Sequence, residues 1–198
     1  MVLDKYRKTV DPLLEKISRP FIFLNPNTIT IVSLIFSILT GLFFYLGDFY
    51  LIYAFVFLFF SSLFDALDGK VARIRGLSSR RGDFLDHLID RYSDTIMITG
   101  IAFSYYTHWY TAFFALTGIF FTSYAGTQAQ AITGKRDYGG ILGRADRLVI
   151  LMVMAIMQFF FMRFSIFDLS ISDITMILFG ILGHITAIQR ILRAWRTL

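Results

Sequence analysis

Nineteen consecutive residues, Thr28 to Leu46, carry no charge. A helix of about 20 residues is what the hydrocarbon core of a bilayer requires, so this run leaves few folds open besides a membrane bundle. Further uncharged runs cover Phe49 to Phe64, 109–132, 148–161 and 174–188. Another span, 84–106, crowds its acidic residues into its first half. The reading is an all-α integral membrane protein with six transmembrane helices. Composition agrees: 56% of residues are hydrophobic and 17% charged, against about 45–50% and about 25% in soluble domains. The absence of cysteine excludes disulfides, thiolate zinc sites, iron–sulfur clusters and cysteine nucleophiles.

Eight charged residues, Asp4, Lys5, Arg7, Lys8, Asp11, Glu15, Lys16 and Arg19, interrupt any signal-peptide core before the first run. Tyr6, Val10, Leu13, Leu14 and Ile17 recur there at helical spacing. That pattern predicts an N-terminal amphipathic helix over 1–20, lying on the membrane surface. A short packed helix would leave the same pattern. No long polar linker or repeat divides the rest, so 1–198 reads as one membrane domain: a juxtamembrane helix, 1–20, and a six-span bundle, 21–198.

With six spans and the N-terminus inside, the inner segments are 1–27, 65–83, 133–147 and 189–198. They hold 17 of the 19 Lys and Arg. Arg91 falls in the inner half of the third span, and Arg163 alone in an outer loop. The positive-inside rule then places both termini in the cytoplasm of a multi-pass protein of the cell membrane. The bases face lipid headgroups and anionic small molecules, and no nucleic-acid partner is expected.

The chemistry concentrates between spans two and three. Asp65 and Asp68 are three residues apart and Asp86 and Asp90 four apart, so each pair shares a helix face. Ionised carboxylates at membrane depth are costly unless paired or bound to a cation. Four carboxylates without cysteine suit a hard cation, Mg²⁺ or Mn²⁺, rather than zinc. Gly69 and Gly82 lack a Cβ and let a ligand approach the backbone, although packing glycines are common in membrane bundles.

The string Asp65-x2-Asp68-Gly69-x2-Ala72-Arg73-x8-Gly82-x3-Asp86-x3-Asp90 resembles the signature of the CDP-alcohol phosphotransferase family. Every position is filled and every gap matches. Pro26-Asn27-x2-Thr30 is similar to the start of the family's first helix. The resemblance implies transfer of a phosphatidyl-type group from a CDP-linked lipid to an alcohol, with release of CMP. It implies two divalent cations, Mg²⁺ or Mn²⁺, held by Asp65, Asp68, Asp86 and Asp90, with Asp90 also the general base. Gly69, Ala72, Arg73 and Gly82, with Asn27 and Thr30, would bind the CDP-lipid. The family is further expected to form a homodimer with its site open to the cytoplasmic side.

A second basic island holds Lys135, Arg136, Arg144 and Arg147, and Arg190 stands at the inner end of the last span. Topology alone predicts some bases here. Beside an acidic site they also fit a pocket for a phosphorylated polyol, because guanidinium binds phosphate oxygens in a fork. Asp90-Arg91-Tyr92-Ser93-Asp94 and Gly143-Arg144-Ala145-Asp146-Arg147 resemble the phosphatidylinositol-phosphate and archaetidylinositol-phosphate synthase branch. The implied acceptor is inositol 1-phosphate, with CDP-diacylglycerol or CDP-archaeol as donor. Glycerol phosphate is the next acceptor. His87 departs from that branch; it reads as a helix-surface residue, with a contact to the acceptor or to a bound metal's ligands as the alternative. A small aspartate-lined cation transporter and an intramembrane prenyltransferase are the rivals; neither calls for a basic island beside one composite acidic site.

Overall fold

A computed structural model describes residues 7–134 and 137–197, the side chains of 7–10 excepted. Seven α-helices carry the fold: α1 Arg7–Ser18, α2 Pro26–Leu46, α3 Tyr50–Ile74, α4 Arg80–Ala102, α5 Trp109–Thr133, α6 Arg144–Phe160 and α7 Ile171–Trp195. A short 3₁₀ turn, Arg19–Phe21, follows α1.

Local chemistry sets these boundaries. The Asn25 side chain accepts from the Asn27 amide at 3.1 Å, and Pro26 occupies the first turn of α2, where its missing N–H costs nothing. Gly47 ends that helix with φ +66°. Ser79 Oγ accepts from the Gly82 amide and starts α4. At α7, Ser170 and Asp173 cap each other reciprocally.

The expected runs and the helices agree in order and differ at their ends. The second run continues as helix to Ile74, so the Asp65–Arg73 segment is helical throughout. The third begins at Arg80 and stops at Ala102 rather than Tyr106. There Ser104 Oγ turns back to the Ile101 carbonyl and lies 3.2 Å from Thr107 Oγ1. Between α6 and α7 a hairpin was not anticipated: Ser165–Ile166 pairs antiparallel with Leu169–Ser170. Of the six long helices, α2, α3 and α7 are long and apolar enough to cross a membrane. The acids of α4, the Thr, Ser and Gln of α5 and the 17 residues of α6 set those three apart.

The bundle exposes many large apolar side chains around a core that includes Phe44, Leu58, Met97 and Phe179. Ile31, Ile35, Phe60, Phe113, Phe121 and Ile188 are all exposed, while Ser33, Ser37, Thr40 and Ser61 are buried. Ser37 Oγ and Ser61 Oγ meet at 2.7 Å between α2 and α3. Small residues inside and apolar skin outside are what helix packing in lipid favours. Gly41 and Gly100 bring α2 and α4 into backbone contact, since a Cβ on Gly100 would lie 2.0 Å from the Gly41 carbonyl oxygen. Gly118 and Gly183 do the same for α5 and α7.

α1 docks on α3. Lys70 Nζ lies 2.9 Å from Asp11 Oδ2 and 3.4 Å from Glu15 Oε2. Ile17 packs beside a small apolar cluster of Ile29, Leu67 and Val71. Of the expected apolar face, Leu14 and Ile17 are half-buried and Leu13 is exposed; Tyr6 and the side chain of Val10 lie outside the described residues.

Candidate active site

Four helix segments meet at one end of the bundle. The last turns of α3 carry Asp65, Asp68, Gly69, Ala72 and Arg73. The first two-thirds of α4 carry Gly82, Asp86, Asp90 and Asp94. The first turns of α2 bring Asn27 and Thr30, and the first turn of α6 brings Arg144 and Arg147.

A cavity of about 380 Å³ opens between α2, α3 and α4. All six residues expected to bind a CDP-lipid, Asn27, Thr30, Gly69, Ala72, Arg73 and Gly82, line it, and so do Asp68 and Asp86. Asn25, Ser79 and Asp83 also line it, and the sequence reading gave them no binding role. The glycines are not forced by protein crowding. A Cβ on Gly69 would meet only Arg73 Nη1 at 3.5 Å, and one on Gly82 only Ser79 Oγ and Asn27 Oδ1 within 4 Å. The space their missing Cβ leaves belongs to the cavity.

The carboxylates of α3 and α4 lie near one another. Asp68 lies within electrostatic reach of Asp65 and Asp86, and Asp90 within reach of Asp65, Asp86 and Asp94. Asp86, His87 and Asp90 each place a potential ligand atom within 4.8 Å of the others. Asp65 Oδ1 and Asp68 Oδ2 are buried without a hydrogen-bond partner among the described residues. Buried, unsatisfied carboxylate oxygens are costly. An oxygen-rich set of this kind fits a hard divalent cation. His87 lies beside the acids: its Nε2 is 3.4 Å from Asp83 Oδ1 and its Nδ1 3.8 Å from Asp86 Oδ2.

Among the described residues, the basic island is engaged rather than open. Arg144 Nη1 sits 2.6 Å from Asp65 Oδ2 and 2.7 Å from Asp90 Oδ1. Arg147 Nη2 donates to Asp94 Oδ2 at 2.7 Å. Arg91 Nη2 adds contacts to Asp94 at 3.4 Å and Asp90 at 3.7 Å. Arg190 donates to two backbone carbonyls, Gly139 at 2.8 Å and Thr122 at 2.7 Å. It ties α7 to α5 and the following loop. Lys135 and Arg136 lie outside the described residues. In that loop, burial pushes the Asp137 carboxyl up, but the Arg193 and Gly139 N–H donors outweigh it and hold the group below the usual carboxylate range. Asp94 is the hub that the sequence reading left without a role. Its signal was the run of acids at 86, 90 and 94, four apart on one helix face.

Residues 23–188 match the family model for CDP-alcohol phosphatidyltransferase. The chain belongs to that family. Archaetidylinositol phosphate synthase of Pyrococcus horikoshii is 33% identical over 199 residues, covering 100% of this chain and 98% of its own length. The crystal structure of Mycobacterium tuberculosis phosphatidylinositol phosphate synthase with CDP-DAG bound is similar, with a TM-score of 0.77 and 28% identity. The match covers 93% of this chain and 94% of that one. A second structure of the mycobacterial synthase, in complex with manganese and citrate, has a TM-score of 0.75 at 28% identity, covering 92% of this chain and 88% of that one. This CDP-alcohol phosphatidyltransferase is thus an integral membrane enzyme of phospholipid biosynthesis that takes a CDP-lipid and an alcohol acceptor. The family is divalent-metal dependent. Membership sets aside the transporter and the prenyltransferase.

Proposed function

We propose that the protein transfers the phosphatidyl or archaetidyl group of a CDP-linked lipid to the hydroxyl of inositol 1-phosphate, releasing CMP. The observation that carries this reading is the junction of the α2–α3–α4 cavity with the carboxylate cluster. The cavity has room for a nucleotide at Gly69 and Gly82, and the acids lie where the pyrophosphate would end. The acceptor follows from the similarity to inositol-phosphate lipid synthases along nearly the whole chain.

The acceptor oxygen attacks the phosphorus that bears the lipid. One P–O bond forms, and the bond from that phosphorus to the bridging oxygen of CMP breaks. CMP leaves with the electron pair, and Asp90 takes the hydroxyl proton as general base. Asp65, Asp68, Asp86 and Asp90 would hold two Mg²⁺ or Mn²⁺ ions, which supply charge neutralisation at the pyrophosphate. Asn27, Thr30, Ala72 and Arg73 orient the nucleotide. Lys135, Arg136 and Arg144 form the basic surroundings of the acceptor phosphate, and Arg147 and Arg190, engaged by Asp94 and by the carbonyls of Thr122 and Gly139, hold the helices that frame them. The apolar outer surface of α2 and α3 keeps the lipid tails in the bilayer beside the site.

In this reading residues 1–198 form one membrane domain. Helices α2 to α7 all cross the bilayer, with α1 on its surface. Both termini and the site are cytoplasmic in it, a reading that the placement of 17 of 19 bases supports. The family resemblance adds a homodimer.

The test is an acceptor panel of inositol 1-phosphate, glycerol phosphate, free inositol and serine, with one CDP-lipid and CMP release as readout. Inositol 1-phosphate should be preferred, and release should require Mg²⁺ or Mn²⁺. Preference for glycerol phosphate would reassign the acceptor, and release without divalent cation would overturn the role of the aspartates.

A further inference from the structure

The same guanidinium nitrogen that contacts Asp65 also contacts Asp90, and both residues belong to the set that would hold divalent cations. Arg144 Nη1 lies 2.6 Å from one and 2.7 Å from the other. Its Nε is buried, lacks a hydrogen-bond partner among the described residues and stands 3.9 Å from Asp94 Oδ1. Arg147 differs: it is 4% exposed and paired at 2.7 Å with Asp94, itself 5% exposed. One arginine is locked into the helix bundle. The other is held by the acids alone and leaves a donor unsatisfied.

We propose that Arg144 is a displaceable counter-ion, which neutralises Asp65 and Asp90 in the metal-free protein and is released to the acceptor phosphate when divalent cations bind. This rests on the reading of the aspartates as cation ligands. The charge inventory favours exchange. Five carboxylates, Asp65, Asp68, Asp86, Asp90 and Asp94, face three guanidiniums, Arg91, Arg144 and Arg147. Two dications would turn that negative excess positive. Arg91 Nη1 is likewise buried without a hydrogen-bond partner among the described residues, but Arg91 reaches only Asp90 and Asp94, at 3.7 and 3.4 Å. Arg144 alone bridges two of the proposed cation ligands through one nitrogen, so it is the cation that leaves. It has somewhere to go: Arg144 is the first residue of α6, preceded by Gly139, Gly140 and Gly143 in the basic loop. There a guanidinium fork matches a phosphate.

Two consequences bear on the reaction. Asp90, the proposed base, is engaged by Arg144 until the cations arrive, so the acceptor cannot be activated early. The phosphate-binding group then becomes available only once the carboxylates are loaded. Binding would be ordered, with cations before the acceptor. Arg144 acts here as a positioning residue.

The experiment measures Mn²⁺ affinity by electron paramagnetic resonance on the full chain in detergent, without nucleotide or acceptor. Wild type, Arg144→Gln and Arg144→Lys are compared. Removing an internal competitor should tighten Mn²⁺ binding by about fivefold or more in Arg144→Gln, with Arg144→Lys between it and wild type. Equal or weaker binding in Arg144→Gln, with wild type still binding, overturns the exchange and leaves the metal site standing. A wild type that binds no Mn²⁺ overturns the metal reading and this inference with it. A second measurement needs no variant. Phenylglyoxal labelling of Arg144, followed by peptide mass spectrometry, should accelerate when Mn²⁺ is added to wild type. Unchanged or slower labelling overturns the proposal.

Discussion

Arg147 and Asp94 form a buried ion pair between α6 and α4, with Arg147 Nη2 at 2.7 Å from Asp94 Oδ2. The pair joins the helix that carries two of the site's carboxylates to the start of the basic one. Removing one member strands the other's charge in the protein interior. Arg147→Ala should therefore cost about 3–5 kcal/mol of stability, read as a lowered thermal midpoint in detergent. A variant with wild-type stability and only a raised acceptor KM would return Arg147 to the acceptor pocket.

The role of Asp90 separates from that of Asp65. Asp90→Asn removes the proton acceptor and should lower turnover by about 10²–10⁴-fold, while CDP-lipid binding is partly kept. Asp65→Ala should abolish metal-dependent nucleotide binding. Titration calorimetry with a CDP-lipid, with and without Mn²⁺, distinguishes the two. A near wild-type rate for Asp90→Asn, or unchanged cation affinity for Asp65→Ala, would remove the assigned role.

Two glycines in different surroundings should answer the same substitution in opposite ways. At Gly69 a methyl group has room, with only the flexible end of Arg73 at 3.5 Å, and alanine favours helix by about 0.5–1 kcal/mol. Gly69→Ala should keep or raise the thermal midpoint and raise the KM for the CDP-lipid. At Gly100 the methyl would lie 2.0 Å from the Gly41 carbonyl oxygen. Gly100→Ala should lose about 1–3 kcal/mol or more through overpacking. An unchanged KM in Gly69→Ala would mean that the cavity is not the lipid-nucleotide site.

Lys70 predicts an asymmetry at the docked N-terminal helix. Its side chain is 8% exposed, while its partners Asp11 and Glu15 are 48% and 52% exposed. Lys70→Met leaves two acids that water can solvate. The double change Asp11→Asn with Glu15→Gln leaves an ammonium with poor access to water. The double variant should have the lower thermal midpoint. The reverse order would mean that α1 is held by its apolar face instead.

The legible parts of this protein are those that local spacing dictates. α2 announces itself by nineteen uncharged residues behind Asn25-Pro26, because hydrocarbon thickness and helix capping both act along the chain. The carboxylates are legible because spacings of three and four residues are helix-face spacings. The state of the arginines was not legible. Arg144 meets Asp65 across 79 residues and Arg147 meets Asp94 across 53, and no local pattern records which acid a base will reach. The same holds for Arg190, whose nitrogens serve carbonyls of Thr122 and Gly139. The Ser165–Ser170 hairpin, with two residues per strand, is too short for any periodicity to mark.

The touching backbones at Gly41 and Gly100 give α4 a fulcrum deep in the bundle. From Gly100 to Asp86 the helix runs fourteen residues, a lever of about 21 Å at 1.5 Å per residue. A swing of about 3° at that fulcrum would carry the Asp86 carboxylate about 1 Å, enough to make or spoil a ligand position. The absence of one methyl group far from the chemistry thus sets the tolerance to which the reacting end is built.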